Sequence, residues 1–291
     1  MMRISPAGLA FALLALMSAG HVMAQDKKPG PLGRPDGPAR MQQHWTGNLL
    51  LLRTCRPPGD APAPVAVINH GSPRNAGDRA TRQPSACTSA PAEWFLKRGY
   101  VVAFPLRRGY GATGGKWAEN YGTCQKPNFV RAGNATADDI EDAIAYVAKL
   151  PYADPARILV VGQSAGGWGT VALGARNRKS VWGLINFAGG RAGWAEKKPN
   201  TNCAPDMLAA AAGRYGSRAR LPALWVYAEN DTYFTPAIIR AMHNAYSAAG
   251  APVDFHLLGP QGKDGHNLFF SDGGAKVWGP LVEKYIATLP R

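Results

Sequence analysis

"ILVVGQSAGGWGTVALGAR", Ile158 to Arg176, runs from an unbroken apolar stretch through a serine set between glycines into a helical pattern. An apolar run without polar alternation reads as a strand buried on both faces. Gly162-Gln163-Ser164-Ala165-Gly166 has the form G-x-S-x-G, and between a strand and a helix it makes a very sharp turn. Such a turn forces the serine into a strained backbone conformation, while the glycines leave room for strand and helix to approach. The serine oxygen then stands at the carboxyl end of the sheet. The amino terminus of the next helix lies beside it, with backbone N–H groups able to stabilise an anion.

The same alternation extends outward. Further strands are expected at Leu49–Arg53, Val65–Asn69, Tyr100–Pro105, Val181–Phe187, Ala223–Ala228 and Val253–Leu258. Helices are expected at Ala90–Arg98, Ala137–Lys149, Ala165–Arg176, Met207–Arg214, Pro236–Ala249 and Ala275–Leu289. Strands alternating with helices imply an α/β fold with a mostly parallel sheet, in one domain over residues 45–291.

A nucleophilic serine needs a base, and the base needs a group that fixes its tautomer. "ALWVYAENDTYFTP" supplies Asp231 just beyond a strand, and "LLGPQGKDGHNLFF" supplies His266 in a glycine-rich loop after the next one. Both would project from the same sheet edge as Ser164, in the chain order Ser, Asp, His. Glu229 lies closer to its strand, and Asp264 is too near His266 to orient it. His256 falls within a strand, His243 within a helix and His44 ahead of the domain. For an oxyanion hole, the Ala165 N–H follows the serine directly, and "VAVINHGSPRN" offers the N–H of Gly71 or Ser72. His70 is expected to shape that loop.

The combination of "INHGSP", "PLRRGYGATGG", "GQSAGGWG", "AENDTYF" and "DGHNLF" resembles the dienelactone-hydrolase-like branch of the α/β-hydrolase superfamily. It is also similar to the catalytic domains of prolyl-oligopeptidase-type peptidases. The resemblance implies an α/β-hydrolase fold with a short cap segment and a Ser-His-Asp mechanism without metal or cofactor. Dienelactone hydrolases proper carry a cysteine where this chain has Ser164. The expected activity is hydrolysis of carboxylic esters. A peptidase or amidase with the same triad, or a non-catalytic envelope-binding protein on this fold, are the alternatives.

"GYGATGG", Gly109 to Gly115, also fits the dinucleotide pattern G-x-G-x-x-G, but no apolar helix opens after it, so it reads as a loop over the active-site edge. Arg74, Arg107 and Arg108 border the expected site and could hold an anionic group of a small-molecule ester. Trp194, in the cap candidate Gly189–Pro205, could wall the site.

The ends and the composition set the compartment. Residues 1–24 have a basic start, an apolar run from Ala7 to Met17 and a small-residue pattern at Val22-Met23-Ala24, as in a cleaved secretory signal. Residues 25–44, rich in proline and glycine at first, read as a linker or arm. Export to the periplasm or beyond makes the four cysteines, Cys55, Cys87, Cys124 and Cys203, candidates for two disulfides. Three pairings are open. The formal net charge is +14, but the basic residues are scattered, which argues against nucleic acid as a partner. No later apolar stretch is long enough to span a membrane. Asn134-Ala-Thr136 and Asn230-Asp-Thr232 read as chance matches to the glycosylation sequon.

Overall fold

The computed structural model describes residues 40–59 and 61–290. The signal-peptide expectation for residues 1–24, and the arm up to residue 39, lie outside the described residues.

Among the described residues, ten strands and six α-helices follow one another along the chain. β1 (Arg40–Trp45), β2 (Leu51–Arg56) and β3 (Ala63–Asn69) lead to α1 (Ala90–Leu96) and β4 (Val101–Leu106). A small hairpin, β5 (Gly122–Thr123) and β6 (Lys126–Pro127), precedes α2 (Phe129–Val147), β7 (Ala153–Gln163), α3 (Ala165–Gly174) and β8 (Gly183–Phe187). The chain ends with α4 (Pro205–Gly216), β9 (Ala223–Ala228), α5 (Pro236–Ala248), β10 (Val253–Leu258) and α6 (Gly274–Thr288). The main sheet has eight strands in the order β1-β2-β4-β3-β7-β8-β9-β10. From β4 to β10 neighbouring strands are parallel, whereas β2 joins β4, and β1 joins β2, in antiparallel register.

Successive strand residues point to opposite faces, and both faces are packed. In β3 and β7, Val65, Val67, Ile158 and Val160 join the core under α2 to α5, with Trp168, Tyr215 and Tyr246. Their neighbours Ala66, Ile68, Leu159 and Val161 join the core under α1 and α6, with Trp94, Phe95 and Trp278. This double burial is why the strands read as continuous apolar runs.

The largest departures from the expected elements are at β1 and at the start of α2. The chain already forms a sheet strand at Arg40, so residues 40–44 belong to β1 and not to an arm. "RMQQHW" lacks an apolar run because it is an edge strand. Its His44 bonds Thr54 Oγ1 at 2.9 Å and Tyr146 Oη at 3.1 Å. α2 starts eight residues ahead of the expected Ala137, because Asn128 caps it by accepting from the Arg131 N–H at 2.9 Å. Gly133 weakens the helical signal there, yet its missing side chain lets Trp168 and the Tyr215 hydroxyl pack against the helix.

The cysteines form two disulfides, Cys55–Cys87 and Cys124–Cys203. The first anchors β2 to the segment before α1. The second ties the β5–β6 turn to the segment before α4. Among the described residues no helix is long and apolar enough to cross a membrane.

Candidate active site

At the end of β7 the backbone reverses through Ser164, whose φ of 55° and ψ of −119° are strained for a non-glycine residue. Hydrogen bonds hold it there. Its N–H donates to Phe187 O at 3.0 Å, and its carbonyl accepts from Trp168 N at 2.9 Å and Gly190 N at 3.3 Å. A Cβ at Gly162 would collide with the Gly166 carbonyl, and one at Gly166 with the Asn69 carbonyl. These two contacts explain the spacing of the motif: β7, β3 and the start of α3 meet around the serine without side chains between them.

Asp231 lies three residues past β9, almost fully buried, with Oδ1 accepting from the backbone N–H of Tyr233 at 2.7 Å and Phe234 at 3.0 Å. His266 Nδ1–H donates to it, 2.9 Å from Oδ2 and 3.1 Å from Oδ1. That bond commits Nδ1 to the carboxylate and leaves Nε2 as the ring nitrogen available to act as a general base. Gln163 Nε2 donates to the His266 carbonyl at 2.9 Å, linking the histidine loop to the residue before Ser164. Ser164 Oγ and His266 make no direct hydrogen bond in this arrangement; such bonds commonly tighten when substrate binds.

Three supporting residues escaped the sequence reading or had no role in it. The Tyr233 ring stacks on His266 with centroids 3.9 Å apart, limiting its swing. Asp264, set aside as an orienting acid, instead joins the two loops through its carboxylate. It accepts from Thr232 N at 3.1 Å, Thr232 Oγ1 at 2.8 Å and His266 N at 3.0 Å. Gln163 is the third. Glu229 is exposed, in contrast to buried Asp231.

On the other side of Ser164, the loop after β3 comes close enough that a Cβ on Gly71 would lie 2.9 Å from Ser164 Cβ and 2.5 Å from Gln163 Oε1. The Gly71 backbone thus borders the serine, and Ser72 lines the same cavity as Ser164 and Ala165. His70 shapes this loop as expected. Its Nδ1–H donates to Gly71 O at 2.9 Å and its Nε2 accepts from the Arg107 N–H at 3.4 Å. Burial, reinforced by the charges of Arg107 and Arg82, holds its pKa well below the usual imidazole value, so it is neutral.

Arg107 and Arg108 do not line the cavity, contrary to expectation. Arg107 is fully buried, paired with Glu119 Oε2 at 2.9 Å and bonded to His70 O at 2.7 Å. Arg108 pairs with Asp139 at 2.5 Å. Both are consumed by carboxylates that the sequence places more than ten residues downstream, beyond the reach of local pattern reading. "GYGATGG" is a loop, with a single 3-10 turn at Gly111–Thr113.

Glu119 is the hub of a buried ionic network. It also meets Arg191 at 3.1 Å, Thr136 Oγ1 at 2.8 Å, Ser72 Oγ at 2.9 Å and the Tyr110 hydroxyl. Burial by itself would raise its pKa, but Arg107, Arg191 and the hydrogen bonds outweigh it and hold the carboxyl well below the usual range. Through Ser72 and His70 the network fixes both ends of the loop at Gly71.

Ser164 and Ala165 open into a cavity of about 220 Å³. Its walls come from Ser72–Arg74 and Arg79, from Trp117 and Tyr121, from Gly190–Trp194, and from Tyr233 and Phe234. Arg74 and Trp194 both line it, with the guanidinium 3.3 Å from the indole centroid. The cap segment is pinned by the Cys124–Cys203 disulfide and by Cys203 N–H donating to Ala192 O at 3.0 Å. Among the described residues no cluster of metal-ligating side chains occurs.

The prolyl oligopeptidase family model matches residues 87–211, which include the elbow around Ser164. The chain shares its fold, an eight-stranded and mostly parallel sheet flanked by helices, with solved α/β-hydrolase structures. Dipeptidyl peptidase 4 of Porphyromonas gingivalis is 19% identical, with a TM-score of 0.61 over 87% of this chain and 35% of that one. The chain thus spans about a third of that peptidase's length. Acylaminoacyl peptidase of Pyrococcus horikoshii is 16% identical, with a TM-score of 0.59 over 85% of this chain and 41% of its own. A Klebsiella pneumoniae protein assigned as a dienelactone hydrolase is 15% identical, with a TM-score of 0.55 over 86% of this chain and 98% of that one. At these identities the likeness speaks for the fold. No curated protein matches the chain.

The approach of Gly71 to Ser164 makes a direct prediction. Gly71→Ala is expected to push the loop off the serine and lower kcat by about 10²-fold, since a displacement of about 1 Å has that order of effect. Steady-state kinetics checks it; an unaltered kcat would show that this loop contributes nothing to turnover.

Proposed function

We propose that this serine hydrolase is exported and cleaves carboxylic esters through Ser164, His266 and Asp231. The observation that carries the reading is the buried Asp231–His266 pair, held on the same sheet edge as a serine in elbow geometry. His266 Nε2 takes the proton of Ser164 Oγ as the oxygen attacks the ester carbonyl. The tetrahedral oxyanion accepts hydrogen bonds from Ala165 N–H and from Gly71 or Ser72 N–H. His266 then returns the proton to the leaving alcohol. In the second half, water gives a proton to His266 and attacks the acyl-enzyme, which releases the acid and restores Ser164. None of these steps calls on a metal or cofactor.

Two disulfides support export, because such bonds persist in oxidising compartments. The small cavity favours a compact ester. The prolyl oligopeptidase match favours a second reading, cleavage of an amide bond with the same residues.

The test is mass spectrometry after treatment with a fluorophosphonate, followed by matched 4-nitrophenyl ester and 4-nitroanilide substrates. A single adduct on Ser164, absent from His266→Ala, with turnover of the ester over the anilide, is the expected result. An adduct with preference for the anilide would move the assignment to the peptidase reading. No adduct on the folded protein would reject the triad.

A further inference from the structure

The cavity over Ser164 has a one-sided charge. Arg74, Arg79 and Arg191 contribute to its lining, and no aspartate or glutamate does. Arg191 shares its carboxylate partner Glu119 with Arg107, so two guanidinium charges face one carboxylate behind the wall. Arg191 is buried and its Nε has no hydrogen-bond partner. Burial and the repulsion of Arg107 lower the pKa of nearby Arg82 from its usual value, a further sign of surplus positive charge there.

Arg74 and Arg79 differ from the other arginines of the site in what satisfies them. Among the described residues neither makes an ion pair. The Arg74 guanidinium lies 3.3 Å from the centroid of Trp194 and its Nε donates to Tyr233 Oη at 3.4 Å. The Arg79 guanidinium lies 4.2 Å from the centroid of Trp117. Stacking occupies the flat face of a guanidinium and leaves its in-plane N–H donors free for a planar anion. Arg74 is exposed and Arg79 half-buried, while Ser164 is buried, so the two cations stand at the rim and the nucleophile at the base.

We infer that the substrate carries a carboxylate, bound by Arg74 and Arg79 at the rim while its ester carbonyl reaches Ser164. This rests on the assignment of Ser164 as the nucleophile. A substrate recognised by a protonated amine meets three arginines and no carboxylate in this cavity, so peptides read by a free amino terminus are disfavoured.

The experiment compares hydrolysis of mono-4-nitrophenyl glutarate with its neutral counterpart 4-nitrophenyl valerate, and measures glutarate binding by calorimetry. Wild type, Arg74→Gln, Arg79→Gln and the double variant are used. The expected kcat/KM ratio favours the anionic ester by about 10- to 100-fold, the range for hydrogen bonds to a charged group. In the double variant the ratio falls toward one, chiefly through KM, and rising salt lowers it in the wild type. Turnover of both esters with a ratio near one, or a ratio indifferent to both substitutions, overturns the inference and leaves the hydrolase assignment standing. Arg74- and Arg79-dependent glutarate binding without turnover of either ester keeps the anion site and rejects Ser164 as the nucleophile. Neither turnover nor glutarate binding overturns both.

Discussion

Glu119→Gln is expected to destabilise the protein by about 3–5 kcal/mol, the range for removing one partner of a buried ion pair. Glu119 and Arg107 are almost wholly inaccessible, and Arg191 nearly so. A glutamine keeps the shape and some hydrogen bonds, yet leaves both guanidinium charges without a counter-ion in a medium that solvates them poorly. For a domain of this size the loss corresponds to a melting temperature lower by roughly 6–20 °C. Urea or thermal unfolding at neutral pH measures it. A change under about 1 kcal/mol would mean that water or relaxation compensates the cations and that the network carries no such weight.

The same carboxylate sets an acid limit. Its folded pKa is depressed, so its contribution to stability is complete above the ordinary carboxylate value and is lost as pH falls through the lowered folded value. The wild type is therefore expected to lose stability below about pH 4 more steeply than Glu119→Gln, which has already forfeited that contribution.

Ser164→Ala is expected to reduce ester turnover by about 10⁴- to 10⁶-fold, as when the nucleophile of a triad is deleted. The fold should tolerate the change. The hydrogen bonds that hold the elbow run through the backbone of residue 164, and alanine retains them all. Residual activity would come from the oxyanion donors and from binding alone. Active-site titration and steady-state kinetics, with a melting curve on the same preparation, separate lost chemistry from lost structure. Activity within tenfold of wild type would assign the nucleophile elsewhere.

The legible parts of the sequence were those with a short-range signature. β3, β7 and β9 announce themselves because double burial demands uninterrupted apolar residues, and Ser164 and Asp231 because each follows such a run, while His266 stands out as the histidine of the glycine-rich loop after the outer strand β10. What escaped depends on distant partners. Arg107 and Arg108 look available until Glu119 and Asp139 fold against them. Tyr233 gains a role only when the loop carrying His266 lies over it. β1 was hidden because an edge strand needs few apolar residues, and the first two turns of α2 because Gly133 and Asn134 depress helix propensity. Four cysteines allowed three pairings, and strand order selects between them: β2 is brought to the α1 approach, and the β5–β6 turn to the cap.

The outer strand β10 has a consequence for encounters between copies of the molecule. Among the described residues one edge of the main sheet ends there, with a line of backbone groups that could pair with a neighbour. Asp254 and His256 point to the same side of that strand and bond to each other at 3.0 Å, with Asp254 exposed. A second chain adding itself along β10 would have to crowd this polar pair against its own side chains. A charged residue such as Asp254 on a border strand discourages such continuous sheets between copies.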